Sequence, residues 1–376
     1  MDILEEVLVA LQTEESVMLA TIISTSGSTP ASALSKMLVR SGGTVSVGTV
    51  GGGCMEGDVL LHANRLYRTG KAEILTFHLN EDDIESGLIC GGSLDVLIEP
   101  VTQRQIPVIQ ELKTHRDDGE DCVLATLLEK DGRIRHKSLI KMNDKKMEHW
   151  SNGVMEELKG VRNSNIPQHR DSIVELVAKA HRRNETYRLK LPDEELIVEP
   201  VSGNPSLIIF GGGHVSRYVS RAAAMAGFRV TIIDDREKYA NKVRFPESAH
   251  VLAIDFTDAF ARIAIKPTTY IVIVTRGHQY DEDVLEQALK TPAKYIGMIG
   301  SKRKVLTTYE HLRGRGVSIE ALNRVHAPIG IEIGAVTAEE IGVSIVAELI
   351  KVRRGQKLPP HHKSDETVKL IGESGN

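Results

Sequence analysis

The sequence predicts an α/β protein: a doubly wound parallel sheet in the C-terminal half, preceded by a mixed α+β half that reads as an internal duplication or as one mixed sheet built from two similar halves. Three observations carry this. Residues 207–236, LIIFGGGHVSRYVSRAAAMAGFRVTIIDDR, run strand, glycine turn, helix, strand and acid in the order of a nucleotide-binding βαβ unit. Further apolar strands follow at Tyr270–Val274 and in AKYIGMIG from Ala293, with a helical segment between them. In the first half, VMLATIISTSG at Val17, SKMLVR at Ser35, LTFHL at Leu75 and SLDVLIEPV at Ser93 recur in order as VLATLLEKDG at Val123, KSLIKM at Lys137, ETYRL at Glu185 and EELIVEPV at Glu194. Their offset of about one hundred residues is the size of a domain unit.

The composition bounds the function. With 376 residues, 41% hydrophobic and 26% charged, the chain has ample core for two or three domains. A net charge of -4 points to neither nucleic acid nor a membrane surface, and no apolar run reaches the length of a bilayer span. The acidic, amphipathic start MDILEEVLVALQTEE is not a signal or transit peptide. Three cysteines without CxxC spacing fit a reducing cytoplasm rather than a disulfide framework or zinc knuckle.

In chain order, Asp2–Gln12 reads as a helix, and Val17–Ser24 and SKMLVR as strands. Ser41-Gly42-Gly43 turns the chain into a third strand over 44–50. GGGCMEG then opens a helix over 58–68. Gly51, Gly52 and Gly53 expose successive N–H groups beside Cys54 and Glu56; Glu56 either meets a ligand or only complements the helix dipole. A strand over 72–79 and the acidic loop NEDDIESG lead to CGGSLDVLIEPV. There Cys90 precedes Gly91 and Gly92, whose N–H groups would stabilise a thiolate; the residue is a soft metal ligand or a small buried thiol. Only the first copy carries GGGCMEG and CGG, so residues 1–104 are expected to hold the ligand chemistry and 105–203, with a helix over 171–183 and a polar loop over 141–165, to be scaffold. Ser202-Gly203-Asn204-Pro205 is the expected linker into a domain over 204–354, and 355–376 a polar, disordered tail in which His361 and His362 are poor metal ligands.

That C-terminal domain is Rossmann-like in its pattern. Gly211, Gly212 and Gly213 let the backbone turn tightly against a phosphate at the start of a helix that carries His214, with Val215, Val219, Ala222 and Ala226 on one face. Ser216 stands where a third glycine is usual. The second strand ends in Asp234, Asp235 and Arg236, and Arg244-Phe245-Pro246 forms a loop near the crevice. A strand over VLAI and a helix over 259–265 follow, and Thr275, Arg276, His278 and Asp281 come at the carboxyl end of the next strand, where open parallel sheets bind ligands. A helix over 283–289 comes next. Ser301 is an N-cap candidate with Lys302 and Arg303 as anion contacts or a solvated helix start. In HAPIGIEIG, Pro328 and Gly330 shape a loop that presents His326, and Thr337 with Glu340 forms a capping box for a last helix burying Ala338, Ile341, Ile345 and Leu349. His214, His278 and His326 all fall at expected loop positions. No H-E-x-x-H, GxSxG or P-loop lysine is present.

Taken together, ATIISTSGSTPASALSKMLV, GTVGGGCMEG, CGGSLDVLIEP, FGGGHV, DDR, RFP, TRGH with Asp281, YIGMIGSKRK and HAPIGIEIGAVTAEEIGVSIVAELI resemble the XdhC/CoxI family, accessory proteins of molybdenum hydroxylases such as xanthine dehydrogenase. The resemblance covers roughly Leu4 to Lys351 apart from the middle segment. It departs at Gly212, where the family often has Ala, and at Ala31, where it commonly has Arg. It implies binding of molybdenum cofactor, as molybdopterin or its nucleotide form, and sulfuration with a cysteine desulfurase. It also implies delivery to an apo-hydroxylase by a non-catalytic homodimeric chaperone. On that resemblance Gly211 to Ser216 would hold phosphate, and Asp234 or Asp235 would take hydroxyl or pterin N–H groups. Cys90, the Gly51–Gly53 loop and Glu56 would face the molybdenum end. The βαβ unit alone also fits an NAD(P)-dependent oxidoreductase with His278 or His326 as acid/base, or a nucleotide-sensing regulator.

Overall fold

The computed structural model describes residues 2–40, 43, 45–79, 92–142 and 169–355. Ser41, Gly42, the NEDDIESG loop, Cys90, Gly91, the polar stretch over 143–165 and the tail with His361 and His362 lie outside them. The chain divides into a unit over 1–203 and a unit over 204–376.

In the first unit, helix α1 (Ile3–Ala10) starts where the Asp2 side chain accepts the Leu4 N–H. Strands β1 (Ser16–Ser26), β2 (Lys36–Val39) and β3 (Val45–Gly48), helix α2 (Gly53–Thr69), and strands β4 (Glu73–His78) and β5 (Ser93–Thr102) follow. They build an antiparallel sheet in the order β3-β2-β1-β5-β4. Helix α3 (Ile106–Asp117) leads into strands β6 (Cys122–Glu129) and β7 (Ile134–Lys141), helix α4 (Arg170–Arg183), and strands β8 (Tyr187–Lys190) and β9 (Glu194–Val201). Their sheet, again antiparallel, has the order β7-β6-β9-β8. Reading β6 for β1, β7 for β2, β9 for β5 and β8 for β4 makes the two orders the same apart from β3. The registers agree as well: Thr21 faces Lys36 and Leu97, and Thr126 faces Lys137 and Ile197.

One face of each sheet is covered by its own helix, through Met55, Val59 and Ala63 on α2 and Ile173, Val177 and Ala180 on α4. The other faces share a core with α1 and α3 that includes Val7, Leu19, Leu112, Leu124 and Leu139. Burying each such side chain contributes about 1.5–3 kcal/mol. The sequence reading assigns no helix to 106–117. Pro107 looks like a breaker there, yet it sits in the first turn, where a missing N–H is harmless, just after a Thr102–Gln105 capping box.

The second unit holds strands β10 (Ser206–Phe210), β11 (Arg229–Asp234), β12 (His250–Ala253), β13 (Tyr270–Ile273), β14 (Tyr295–Met298) and β15 (Val325–His326). All are parallel, in the order β12-β11-β10-β13-β14-β15, so the winding reverses between β10 and β13. Ligands of such sheets sit at the carboxyl ends of the strands beside that reversal. Helices α5 (His214–Met225), α6 (Phe256–Arg262), α7 (His278–Leu289), α8 (Lys302–Gly314), α9 (Ile319–Leu322) and α10 (Ala338–Arg353) cover both faces, each with its own apolar core.

Several helices begin earlier than the sequence suggests. Helix α2 starts at Gly53 rather than Asp58, and α7 at His278 rather than Asp283. Helix α6 starts at Phe256 rather than Ala259, because Asp255 caps it by accepting from the Thr257 N–H. His214 and His278 therefore open helices, and His326 ends a strand; the loop positions expected for the three do not hold. The α5 face also differs: Ser216, Val219, Ser220 and Ala223 are its buried residues. Among the described residues no helix is long and apolar enough to cross a membrane.

Candidate functional site

Two groups of side chains lie at the carboxyl edge of the parallel sheet, and a third gathers about Glu348 of α10 and Tyr295 at the start of β14. The first is built on the glycine turn. Gly211 has φ of 109°, and a Cβ there would lie 2.3 Å from the Val274 carbonyl oxygen. Gly213, the N-cap of α5, has ordinary φ of -70°, and a Cβ there would meet nothing within 4 Å. The first glycine thus lets β10 approach its neighbour, and the last leaves open space before the N–H groups of a helix start, a place suited to phosphate. Ser216 is buried where a third glycine is usual, and its hydroxyl donates to the Gly211 carbonyl at 2.6 Å. That bond replaces close glycine packing with a tie across the turn.

Asp234 lies beneath this turn. Its carboxylate accepts the Gly212 N–H at 2.8 Å and three donors of Arg236, the backbone N–H, Nε and Nη2, at 3.1, 2.9 and 3.0 Å. Burial works against the Asp234 carboxylate, but the bonds from Arg236 and Gly212 outweigh it and hold its pKa below the ordinary value. Asp235 is paired with both terminal nitrogens of Arg276 at 2.7 Å each. Arg244 reaches back from its loop to donate to the Gly212 carbonyl at 2.9 Å, as its expected place near the crevice requires.

The second group fixes the loop after β13. Asp281 is fully buried and accepts from the Thr275 N–H and hydroxyl, the latter at 2.7 Å, while Lys304 of α8 closes the cluster with an ion pair. Asp281 and Thr275 are therefore partners of each other in this structure, shaping the Arg276 loop. Lys304 carries no signal in the sequence beyond its neighbours Lys302 and Arg303, which are exposed in the first turn of α8. Ser301 caps that helix, accepting the Lys304 N–H at 3.2 Å.

The third group surrounds Glu348 of α10, a carboxylate with no exposed surface. Tyr295 donates to it at 2.6 Å, the His326 Nδ1 lies 3.3 Å away and the Gly330 N–H donates at 3.1 Å. His326 also stacks on Tyr295, with ring centroids 4.5 Å apart. The cis Ala327–Pro328 bond lies between His326 and Gly330. Glu348 is not among the residues singled out from the sequence, although an acid inside the apolar run IGVSIVAELI is the kind of signal that marks one.

In the first unit, Glu56 turns back onto the glycine loop. Its Oε1 accepts the Val50 and Gly52 N–H groups at 3.2 and 3.0 Å, and the Thr49 hydroxyl. Cys54 is exposed at the start of α2. Gly92 lies at the start of β5 against the Ser26 and Ser28 backbone, where a Cβ would clash at 2.5 and 2.3 Å. Cys90 and Gly91 lie outside the described residues, and among the described ones no group of three or more His, Cys, Asp or Glu side chains could hold a metal.

The XdhC Rossmann domain model matches residues 207–349, and the XdhC and CoxI family model residues 10–78. An uncharacterized protein, YqeB of Escherichia coli (strain K12), is 33% identical over 177 residues, which are 46% of this chain and 32% of that protein. A protein of Bacillus subtilis (strain 168) described as a probable subunit of xanthine dehydrogenase is 26% identical over 349 residues, 92% of this chain and 95% of that one. The molybdenum cofactor insertion chaperone PaoD of E. coli (strain K12) is 29% identical over 110 residues, 28% of this chain and 35% of that protein. The chain thus spans about a third of the length of the first and third of these relatives. A crystal structure described as a xanthine dehydrogenase from Bacillus halodurans shares the fold, with a TM-score of 0.72 at 24% identity over 97% of this chain and 100% of that one.

Proposed function

Because the chain belongs to the XdhC and CoxI family, we propose that it binds molybdenum cofactor as cargo and delivers it to the apoprotein of a molybdenum hydroxylase such as xanthine dehydrogenase. The observation that carries this reading is the unobstructed helix start at Gly213, set at the sheet reversal of a unit matched by the XdhC Rossmann model. Backbone N–H groups there, with the guanidinium groups of Arg236 and Arg276 nearby, suit the phosphate of a pyranopterin. The names of two relatives point the same way: one is called part of a xanthine dehydrogenase, the other a cofactor insertion chaperone. Carriage needs binding and release, and no residue of this site has to make or break a covalent bond. Support of sulfuration by a cysteine desulfurase, a homodimeric state, a cytoplasmic place of work and a position for Cys90 beside the molybdenum belong to the same proposal.

Mass spectrometry of ligand co-purified from a molybdenum-replete host tests it, together with activation of an apo-hydroxylase by the purified protein. The expected result is a molybdopterin-derived ligand and a rise in hydroxylase activity. Absence of any pterin, together with tight NAD(H) binding and hydride transfer, would replace the carrier with an oxidoreductase.

A further inference from the structure

In dinucleotide sites with this strand order, the acid ending the second strand receives the ribose diol, whereas an arginine near that point accommodates a phosphate on the same ribose. Here the acids are already engaged. Asp234 has a side chain only 1% exposed, and it accepts four hydrogen bonds from Gly212 and Arg236. Asp235 is clamped by Arg276 in a bidentate pair. The guanidinium groups are the accessible partners: Arg236 and Arg276 keep 30% and 33% of their side-chain surface. Each is oriented by an aromatic face, Arg236 at 3.8 Å from the Tyr239 centroid and Arg276 at 4.6 Å from that of Tyr280. Arg244 adds a buried Nη2 with no hydrogen-bond partner among the described residues.

We infer that this edge reads a phosphomonoester dianion, with Arg276 exchanging the partly exposed Asp235 for its oxygens while Arg236 meets it without leaving the buried Asp234, and that it selects against ligands presenting only a ribose diol there. The exchange replaces one charge-assisted pair by another to a more highly charged acceptor, so the bidentate fork geometry is kept. A neutral diol offers no comparable acceptor and leaves both arginine–aspartate pairs closed. The inference deepens the cargo reading, which sets the same two arginines near the cargo's phosphate: it rests on that reading for the group that carries the phosphate and on this crevice for the preference itself.

Calorimetric titration of the full-length protein with NADP+ and NAD+, which differ by one phosphomonoester, is the test. NADP+ is expected to bind at least about tenfold more tightly, the effect of one good charge-assisted contact. The double variant Arg236→Gln, Arg276→Gln is expected to lose that preference. Asp235→Asn, which weakens the hold on Arg276, is expected to tighten NADP+ several-fold and leave NAD+ unchanged, and it keeps the test decisive should the double variant fail to fold. Equal affinity, a preference for NAD+, no binding of either at millimolar concentration, or a preference that survives in the double variant would overturn the inference. Preference for NADP+ without any co-purifying pterin would sink the cargo reading alone; co-purified pterin with a preference for NAD+ would sink this inference alone.

Discussion

Lys36 and Glu199 form an ion pair of 2.8 Å across the two sheets of the first unit, and Lys137 with Glu99 repeats it in reverse. Lys36 and Lys137 occupy matching strand positions opposite Thr21 and Thr126, and Glu99 and Glu199 match opposite Leu19 and Leu124. Each copy of the repeat therefore contributes a lysine to the other's glutamate, the pattern of a self-complementary interface.

Cutting one arm of this cross should be far worse than removing the whole arm. Lys137 and Glu99 side chains are 7% and 2% exposed, so Lys137→Met strands a buried carboxylate and is expected to cost about 3–5 kcal/mol. Lys137→Met with Glu99→Met should recover most of that, since apolar replacement of a buried pair is often neutral. Urea unfolding of the full-length variants measures both. A double variant as unstable as the single one would mean that the pair contributes through more than charge balance.

The glycine turn makes a sharper contrast. Gly211→Ala places a Cβ against the Val274 carbonyl at 2.3 Å in left-handed backbone, and a loss of roughly 2–4 kcal/mol is expected. Gly213→Ala meets open space at φ of -70° and should alter stability by less than about 0.5 kcal/mol. The second variant is still expected to weaken binding of a phosphorylated ligand, because its methyl group projects into the space before the helix start. Thermal unfolding separates the two, and ligand titration of Gly213→Ala tells a binding site from a structural turn.

Acid should loosen the same turn. The folded pKa of Asp234 lies below the ordinary 3.8, so the stability it contributes is full above that value and is lost as pH falls through the folded pKa. Wild-type stability should decline more steeply below about pH 4 than that of Asp234→Asn, which is already weaker at pH 7. Urea midpoints at pH 6 and pH 3 for both proteins check the sign. Parallel declines would remove Asp234 from the acid response.

Much of this was legible in the sequence because it rests on local signals. The βαβ unit, the Thr337–Glu340 capping box, realised with the Thr337 hydroxyl accepting the Glu340 N–H at 3.3 Å, and the Ser301 cap all depend on residues close together in the chain. The repeat was visible too, but in a register that hid its chemistry. KSLIKM set against SKMLVR from their first letters pairs Lys137 with Ser35, whereas the strand registers pair Lys137 with Lys36. What the sequence concealed are long-range partners: Lys304 for Asp281, Tyr295 and His326 for Glu348, and Arg276 for Asp235. Each joins residues from different elements, and only the sheet order brings them together. For Asp234 the residue type indicated a ligand contact, and the fold turned the carboxylate inward to the Gly212 N–H.

The two described cysteines should differ sharply toward alkylation. Cys122 begins β6 with 1% exposure, and burial, reinforced by Asp121 and Glu111, pushes its thiol up to about 12. At pH 8 its thiolate fraction is then on the order of one in ten thousand, and the thiolate is the reacting species. Cys54 is exposed at the start of α2, so iodoacetamide meets no steric barrier there. Peptide mass spectrometry after brief treatment of the native protein should show Cys54 modified and Cys122 intact, with both modified in urea. Rapid native modification of Cys122 would mean that β6, the counterpart of β1 in the second sheet, opens far more readily than its pairing with β7 and β9 allows.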